Sequence, residues 1–279
     1  MKIRHRLVFD KKSINPGFLN FLESKNAVFS DAGKDMVVVY IFEKEEWKDD
    51  LYDFMRKEKT TSIVESVYSK QEYEQATWLS IRSKFRWEYP QPEDASDYIN
   101  ITYDSRNYCS SCGCGLKQKE EFRVNKTPKW GKRNFLMLNW VYDELFISSM
   151  AKDIIQNTAL KGYQVFDVIN HRKRIPIDNM YQLYVEGILP SGLTNKEQSV
   201  KEYRNCRTCG SEKYIGSGRG LTFRKEIFEG INTDLIRTSE TFGEGLICSR
   251  KILVSKAFYT TIKNNKIDRD LVFEPIQLI

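Results

Sequence analysis

The heptapeptide CSSCGCG at residues 109–115 places three cysteines and two glycines in seven positions. Its first five residues form a CxxCG motif, and a second motif of this kind, CRTCG, follows at residues 206–210. Two residues between the thiols let both sulfur atoms reach one metal ion, and the glycine allows the tight backbone turn. One such knuckle supplies two ligands, whereas a structural zinc site needs four. The two motifs therefore predict one structural zinc ion per chain, shared by Cys109, Cys112, Cys206 and Cys209.

Two further cysteines lie outside this set of four thiols. Cys114 competes with Cys112 for a ligand position, and the match to CRTCG favours Cys112. Cys248 lies in the apolar stretch GLICSRKILV, which predicts a buried, inert thiol. A redox pair, free thiols or separate metal sites are alternatives. Redox chemistry at a CxxC motif needs a thioredoxin-like helix start, however, and neither motif has an obvious one.

Composition and charge narrow the class of protein. The chain has 279 residues, of which 41% are hydrophobic and 29% charged, as in soluble globular proteins. We find no apolar run of transmembrane length and no signal-peptide pattern, so the sequence predicts a cytoplasmic protein without membrane contact. The net charge of +6 divides into −2 for residues 1–98 and +8 for residues 99–279. That asymmetry is compatible with an acidic partner, either nucleic acid or a protein surface.

Residues 1–98 read as an N-terminal α+β domain of the α/β-sandwich kind. Asn15 and Pro16 form a helix start, and MVVVYIF at 36–42 has the composition of a strand. Ser69 and Glu72 have the spacing of a capping box. The pattern is interrupted by YPQPEDASDY, which places the end of the domain at residue 98.

Residues 99–279 differ in composition from residues 1–98, because cysteines, glycines and basic loops appear there. FLMLNWVY at 135–142 and YQLYVEGI at 181–188 predict strands, and GSGRG at 216–220 predicts a mobile loop. The glycine-rich stretch lacks the lysine and hydroxyl ending of a phosphate-binding P-loop.

An internal repeat organises this second domain. FISSMAKDIIQNTALKGYQVFDVI (146–169) aligns without a gap with LVSKAFYTTIKNNKIDRDLVFEPI (253–276). Each copy reads as a strand end, a capping serine, a helix and a short strand. With the knuckles included, the repeats span about 109–169 and 206–276. The sequence thus predicts an α+β protein whose residues 99–279 form a duplicated strand–helix–strand region clamped by a two-knuckle zinc site.

The residues give little support to catalysis. The chain has two histidines, His5 and His171, and a site of four thiolates is closed, whereas a catalytic zinc keeps an open position. We recognise no paired carboxylates and no nucleophile next to a base. The sequence therefore predicts a protein that is not an enzyme.

The double motif resembles the bacterial double-CxxCG motif family. Each CxxCG is followed by a serine-started helix and a VF-acidic-x-Ile ending, and TDLIRTSETFGEGLICSRKILVSKAF (233–258) adds to the likeness, which covers roughly residues 99–279. Several members of that family are regarded as immunity proteins that neutralise a cognate toxin. The resemblance implies paired zinc ligands at Cys109, Cys112, Cys206 and Cys209, and a protein partner, which for an immunity protein is a toxin.

Two functions are therefore weighed. The first is a non-enzymatic, zinc-stabilised module that binds a protein partner. The alternative is a nucleic-acid-binding protein that uses the basic region, because KTPKWGKRNF and RGLTFRKEIF interleave aromatic and basic residues. Trp130, Phe135 and Phe223 of these stretches would stack on bases in that case, and would be core or loop anchors in the other.

Overall fold

A computed structural model describes residues 1–10, 12–194 and 200–279. Within these ranges the side chain of Lys201 is the one that is not described. The described chain is of mixed α+β class and contains six α-helices. These are α1 (Pro16–Ser24), α2 (Lys48–Lys57), α3 (Lys70–Gln75), α4 (Tyr98–Thr102), α5 (Ser149–Gln156) and α6 (Lys256–Asn264). The first strands are β1 (Lys2–Asp10), β2 (Val28–Asp31), β3 (Met36–Phe42), β4 (Ser62–Val67), β5 (Trp78–Ser83), β6 (Tyr103–Asp104), β7 (Lys117–Gln118), β8 (Arg123–Val124), β9 (Phe135–Leu136) and β10 (Leu145–Ile147). The others are β11 (Tyr163–Asn170), β12 (Pro176–Val185), β13 (Leu193–Thr194), β14 (Val200–Asn205), β15 (Glu212–Gly216), β16 (Thr222–Phe223), β17 (Leu235–Phe242), β18 (Ser249–Ser255), β19 (Leu271–Pro275) and β20 (Gln277–Leu278).

The first of two compact units comprises residues 1–75 and 217–220. Its sheet has the order β2-β3-β1-β4, with antiparallel pairs throughout. Strand and helix residues share one core, which includes Leu7, Val39, Phe18 and Leu51. Helices therefore cover one face of the sheet, as in a two-layer α/β arrangement.

The helix starts of this unit follow the local signals in the sequence. The Asn15 side chain accepts a hydrogen bond from the Gly17 amide at 2.8 Å, directly before α1. The capping box is present as well: the Ser69 amide donates to Glu72 at 2.7 Å, and the Glu72 amide donates to the Ser69 hydroxyl at 3.3 Å. These caps satisfy backbone amides that have no partner inside the helix.

The division between the units lies at residues 75 and 76, earlier in the chain than the boundary predicted at residue 98. Strand β5 belongs to the second unit because it pairs with β18 on one side and β19 on the other. Local sequence patterns do not predict these pairings, since the partner strands lie far along the chain from β5.

The glycine-rich loop at 217–220, for which the composition predicted mobility, belongs to the first unit and forms contacts within it. Arg219 forms an ion pair with Glu43, with its Nη1 atom donating to Oε1 at 2.9 Å. The Ser66 hydroxyl donates to the Gly218 carbonyl at 2.8 Å. Gly218 has a φ of +78°, and a Cβ atom there would lie 2.0 Å from the Val64 carbonyl oxygen. Close backbone approach is thus one reason for glycine in this loop.

The second unit comprises residues 76–216 and 221–279. Its two larger sheets have the orders β8-β11-β12-β10-β9 and β14-β15-β17-β18-β5-β19. A three-stranded sheet (β13-β16-β20) and a two-stranded sheet (β6-β7) complete it. One core cluster lies around Phe122 and Phe146, and another around Phe223 and Leu253.

Two strand–helix–strand stretches occur in this unit, β10–α5–β11 and β18–α6–β19. Ser148 caps α5 and Ser255 caps α6, and each hydroxyl accepts from a backbone amide three residues later at 3.2 Å. The helices bury residues at corresponding positions, Ala151 and Ile155 in α5, Phe258 and Ile262 in α6.

The strands of each stretch flank a third strand that runs antiparallel to both. In the first stretch this strand is β12, which follows the stretch in sequence. In the second it is β5, which precedes the stretch by most of the chain. The descent of both stretches from one ancestral segment stays a prediction.

The predicted strand at 135–142 is mostly absent. Strand β9 ends at Leu136, and Trp140 has a φ of +66°, in the left-handed region that large side chains seldom adopt. The apolar composition of this stretch reflects burial of Met137, Leu138 and Val141, of which Met137 forms an isolated bridge with Arg86 outside the named strands.

Candidate metal centre

The two knuckles have the same local backbone structure. In the first, the Gly113 amide donates to the Cys109 carbonyl at 2.7 Å. In the second, the Gly210 amide donates to the Cys206 carbonyl at 2.8 Å. Gly113 and Gly210 have φ values of +80° and +74°. The glycine of CxxCG is therefore used at both positions for a turn that other residues rarely adopt.

The four predicted thiols lie together. All four sulfur atoms are within 4.8 Å of one another, and together they can hold a metal ion. The sulfurs of Cys109 and Cys206 are 3.8 Å apart, and those of Cys112 and Cys209 are 3.6 Å apart. Sulfurs at about 2.3 Å from one tetrahedral zinc ion would be about 3.8 Å from one another, so the spacing fits zinc.

Corresponding residues of the two knuckles contact each other. Cys109 faces Cys206 and Cys112 faces Cys209, each pair being 97 residues apart. The Thr208 hydroxyl donates to the Ser111 hydroxyl at 3.0 Å, and this pair has the same separation. Contacts between equivalent residues are what a local two-fold axis produces, here through the centre of the thiol cluster.

The thiols differ in their proton affinity. Burial raises the pKa of Cys112 to about 12. The backbone amides of Cys209 and Thr208 lower the pKa of Cys206 to about 6, and the Ser211 hydroxyl is the main cause of a lowered pKa at Cys209. Metal binding needs thiolates, so Cys112 must release its proton when a metal binds, while Cys206 is already partly ionised at neutral pH.

Cys114 and Cys248 form a disulfide. This settles the competition between Cys114 and Cys112 in favour of Cys112, but the prediction of an inert thiol at Cys248 is wrong. The cause is tertiary: the loop before β18 packs on the first knuckle, where a Cβ atom on Gly113 would lie 1.9 Å from the Leu246 carbonyl oxygen. Disulfides are uncommon in a reducing cytosol, so the cytoplasmic location stays a prediction.

A buried lysine joins the same loop to the first knuckle. The Lys213 ammonium donates to the carbonyls of Cys112 at 2.8 Å and Ile247 at 2.9 Å, and also to that of Gly245. Lys213 is 4% exposed, and its positive charge lies beside a group of thiols that carries negative charge once a metal is bound. Nothing in the local sequence around Lys213 marks it as a residue of this site.

The stretch 233–258 supplies several bridging contacts within the second unit. Arg237 donates to the Glu144 carboxylate at 2.8 Å, and both side chains are buried. One Glu240 oxygen accepts the amides of Gly192 and Leu193, each at 2.9 Å. These polar residues therefore have internal partners, as buried charged groups require.

His5 lies in a buried network of the first unit and not beside the thiols. Its ring nitrogens contact Glu43 at 2.8 Å and Ser62 at 2.9 Å, and the ring is fully buried. In a hydrolytic triad, too, a histidine ring lies between a serine hydroxyl and a carboxylate and contacts both. Glu43, however, is also bound by Arg219 and Tyr52. The network therefore fixes the loop 217–220 within this unit.

Trp130, Phe135 and Phe223, the aromatic residues considered for base stacking, are core residues. Trp130 is 7% exposed, and Phe135 and Phe223 are fully buried. The indole nitrogen of Trp130 donates to the Asn179 carbonyl at 2.7 Å. These rings do not offer faces for stacking nucleic-acid bases.

The sequence matches no protein-family model and no curated protein. The resemblance to the double-CxxCG family therefore depends on the motifs alone. Among the described residues, no helix combines the length and the apolar character needed to cross a membrane.

Proposed function

We propose that this protein is a non-enzymatic, zinc-stabilised module that binds a protein partner. The observation that carries the proposal is the closed thiol cluster. Four cysteine sulfurs provide a complete tetrahedral set, so a bound zinc ion would have no open position for water or substrate. Zinc at this position holds the two knuckles together and contributes to folding, and binding is performed by the surface that the folded unit presents.

The two halves of residues 99–279 descend, in this proposal, from one duplicated segment. The equivalent contacts across the thiol cluster support this view, as do the cap serines of α5 and α6. Further support comes from the loops after the helices. Asp270 accepts from the amide of Asn134, near the start of β9, and Asp234, just before β17, accepts from the amide of Lys161. Each half thus contacts the other in a similar way.

The partner class follows from the family resemblance. In this proposal the chain is a member of the double-CxxCG family and acts as an immunity protein, with a bacterial toxin as partner. The test is to coexpress the protein with each toxin-like product encoded beside its gene, and to measure both complex formation and survival of the host. A stable complex with protection supports the proposal. Failure to bind or protect against every neighbouring product would remove the immunity role.

A matched variant sharpens this experiment. Cys206→Ser removes one zinc ligand, and Lys173→Ala changes an exposed residue far from the knuckles in sequence. If the zinc-held fold presents the binding surface, the cysteine variant loses the complex and the lysine variant retains it, unless the partner contacts Lys173 itself. Retention of the full complex by a zinc-free variant would contradict the proposed role of the metal.

A further inference from the structure

A pocket in the second unit contains two buried polar atoms without partners. It has a volume of about 800 Å³ and is lined by residues that include Asn125, Trp140, His171 and Arg172. The Asn125 Oδ1 atom and the His171 Nδ1 atom are both buried, and neither has a hydrogen-bond partner among the described residues. Buried polar atoms are nearly always paired in native proteins, so two such atoms in one pocket point to a ligand.

The backbone places these two side chains next to each other. Strands β8 and β11 are parallel, and their last pair is Asn170 with Val124. The His171 amide donates to the Val124 carbonyl at 2.9 Å, so Asn125 and His171 follow directly at the ends of adjacent strands. Neighbouring strands lie about 4.8 Å apart. An acceptor oxygen and a ring nitrogen on adjacent strand ends suit the edge of a planar group that has both a donor and an acceptor.

Trp140 gives the pocket a partly exposed aromatic side chain. Its side chain is 40% exposed, although its ring centroid is only 4.6 Å from that of Tyr89 and its ring is stacked on Tyr98 at 6.1 Å. Its left-handed φ of +66° costs free energy, and such strain is concentrated at functional sites. An exposed, fixed indole is a surface on which a flat ring can stack.

Positive charge surrounds the histidine. Burial lowers the pKa of His171, and the positive charges of Arg174, Arg123 and Arg172 lower it further. None of the three forms an ion pair with another residue in the described part of the chain. Arg172 itself lines the pocket, together with the acidic residues Glu93 and Asp94.

We propose that this pocket binds a nucleotide, with the base stacked on Trp140, its polar edge held by Asn125 and His171, and the phosphate near Arg172. Glu93 and Asp94 would accept hydrogen bonds from the ribose hydroxyls, a role that carboxylates have in dinucleotide sites. The chemistry is the same for a free mononucleotide and for one nucleotide of a single strand. The buried rings of Trp130, Phe135 and Phe223 have no part in it.

The first experiment titrates the zinc-loaded, full-length protein with AMP, GMP, CMP and UMP by calorimetry. Adenosine and inorganic phosphate serve as separate probes of the base and phosphate positions. Binding of at least one mononucleotide, tighter than either fragment, supports the proposal. A short single-stranded RNA that binds more than about tenfold tighter, with strong salt dependence, would identify a strand as the source, and equal affinity would identify a free nucleotide.

Variants then locate the site. Trp140→Gly removes the ring and suits the left-handed backbone, so the variant should fold, and we expect its affinity to fall by about tenfold to a hundredfold. Asn125→Ala should weaken binding by about tenfold. Arg172→Ala should weaken nucleotide binding without changing adenosine binding, whereas Lys173→Ala, at the next position and outside the pocket lining, should change neither.

Two results would overturn the proposal. One is the absence of binding of all four mononucleotides and of the RNA at millimolar concentration. The other is binding that Trp140→Gly and Asn125→Ala leave unchanged while circular dichroism shows both variants folded. Either result would mean that water, and not a nucleotide, forms the hydrogen bonds of the Asn125 and His171 side chains.

Discussion

The two knuckles share a backbone but differ in their surroundings. In the first, Cys109 and Cys112 are buried, and the loop before β18 is attached by the Cys114–Cys248 disulfide and by Lys213. In the second, Cys209 is exposed, and the position that corresponds to Cys114 is held by Ser211, whose carbonyl makes the same backbone hydrogen bond. The same motif can thus be part of a packed core or part of the surface, and both settings contribute thiols to one cluster that can hold a metal ion.

The largest effect should come from the metal. Cys109→Ser and Cys209→Ser each leave three thiols, and both variants should lose the zinc ion despite their different burial. We expect the second unit to lose more than about 4 kcal/mol of unfolding free energy, because structural zinc binding contributes directly to folding. Elemental analysis and urea denaturation check this. Zinc retained by Cys209→Ser at wild-type stoichiometry would show that the exposed knuckle is dispensable.

The disulfide should have a smaller effect, confined to the first knuckle. Cys248→Ser opens a cross-link between residues 134 apart, and we expect a loss of about 3 kcal/mol with zinc still bound. Peptide mapping without reductant would establish the Cys114–Cys248 pair. If Cys248→Ser lost its zinc, the thiol cluster would need the disulfide in order to bind metal. The surroundings of the first knuckle could then not be changed without also affecting the second.

The same substitution in both knuckles compares their packing directly. Gly113→Ala places a Cβ atom 1.9 Å from the Leu246 carbonyl oxygen, whereas nothing lies within 4 Å of a Cβ atom on Gly210. Both variants lose the freedom of glycine at positive φ, at a cost of about 1 kcal/mol. The clash should make Gly113→Ala about 3 kcal/mol worse than Gly210→Ala in urea denaturation. Equal losses would mean that the loop before β18 moves away without cost.

The first unit provides a metal-independent comparison. Burial alone would raise the pKa of Glu43, but Arg219 and His5 outweigh it and lower that pKa from 4.5 to about 2. A lowered carboxyl pKa stabilises the fold above pH 4.5, and that stability is lost as the pH falls from about 4.5 to about 2. We expect Glu43→Gln to remove on the order of 2 kcal/mol at pH 7 and much less at pH 2, in urea titrations that follow the first unit.

The zinc content of Glu43→Gln is its control. Since Glu43 and the thiols belong to different units, the variant should keep its zinc at pH 7. If Glu43→Gln lost as much unfolding free energy as the wild type between about pH 4.5 and about pH 2, another carboxyl group would be responsible for the pH dependence.

Local signals predicted local structure well. The caps at Asn15, Ser69, Ser148 and Ser255 are all present, because each depends on contacts within a few residues. The strand predicted at 135–142 was wrong after Leu136, since burial of Met137, Leu138 and Val141 comes from tertiary packing. Lys213 and the unpaired atoms of Asn125 and His171 could not be found from local sequence either.

The sequence by itself determined the α+β class, the helix starts and the pairing of two CxxCG motifs around one possible metal position. These depend on periodicity, capping and ligand number, which are properties of short segments. Only the tertiary structure decided that Cys114 joins Cys248, that β5 lies in the sheet of the second unit, and that the loop 217–220 belongs to the first. Each of these brings together residues more than a hundred positions apart, and such contacts are set by the packing of whole elements.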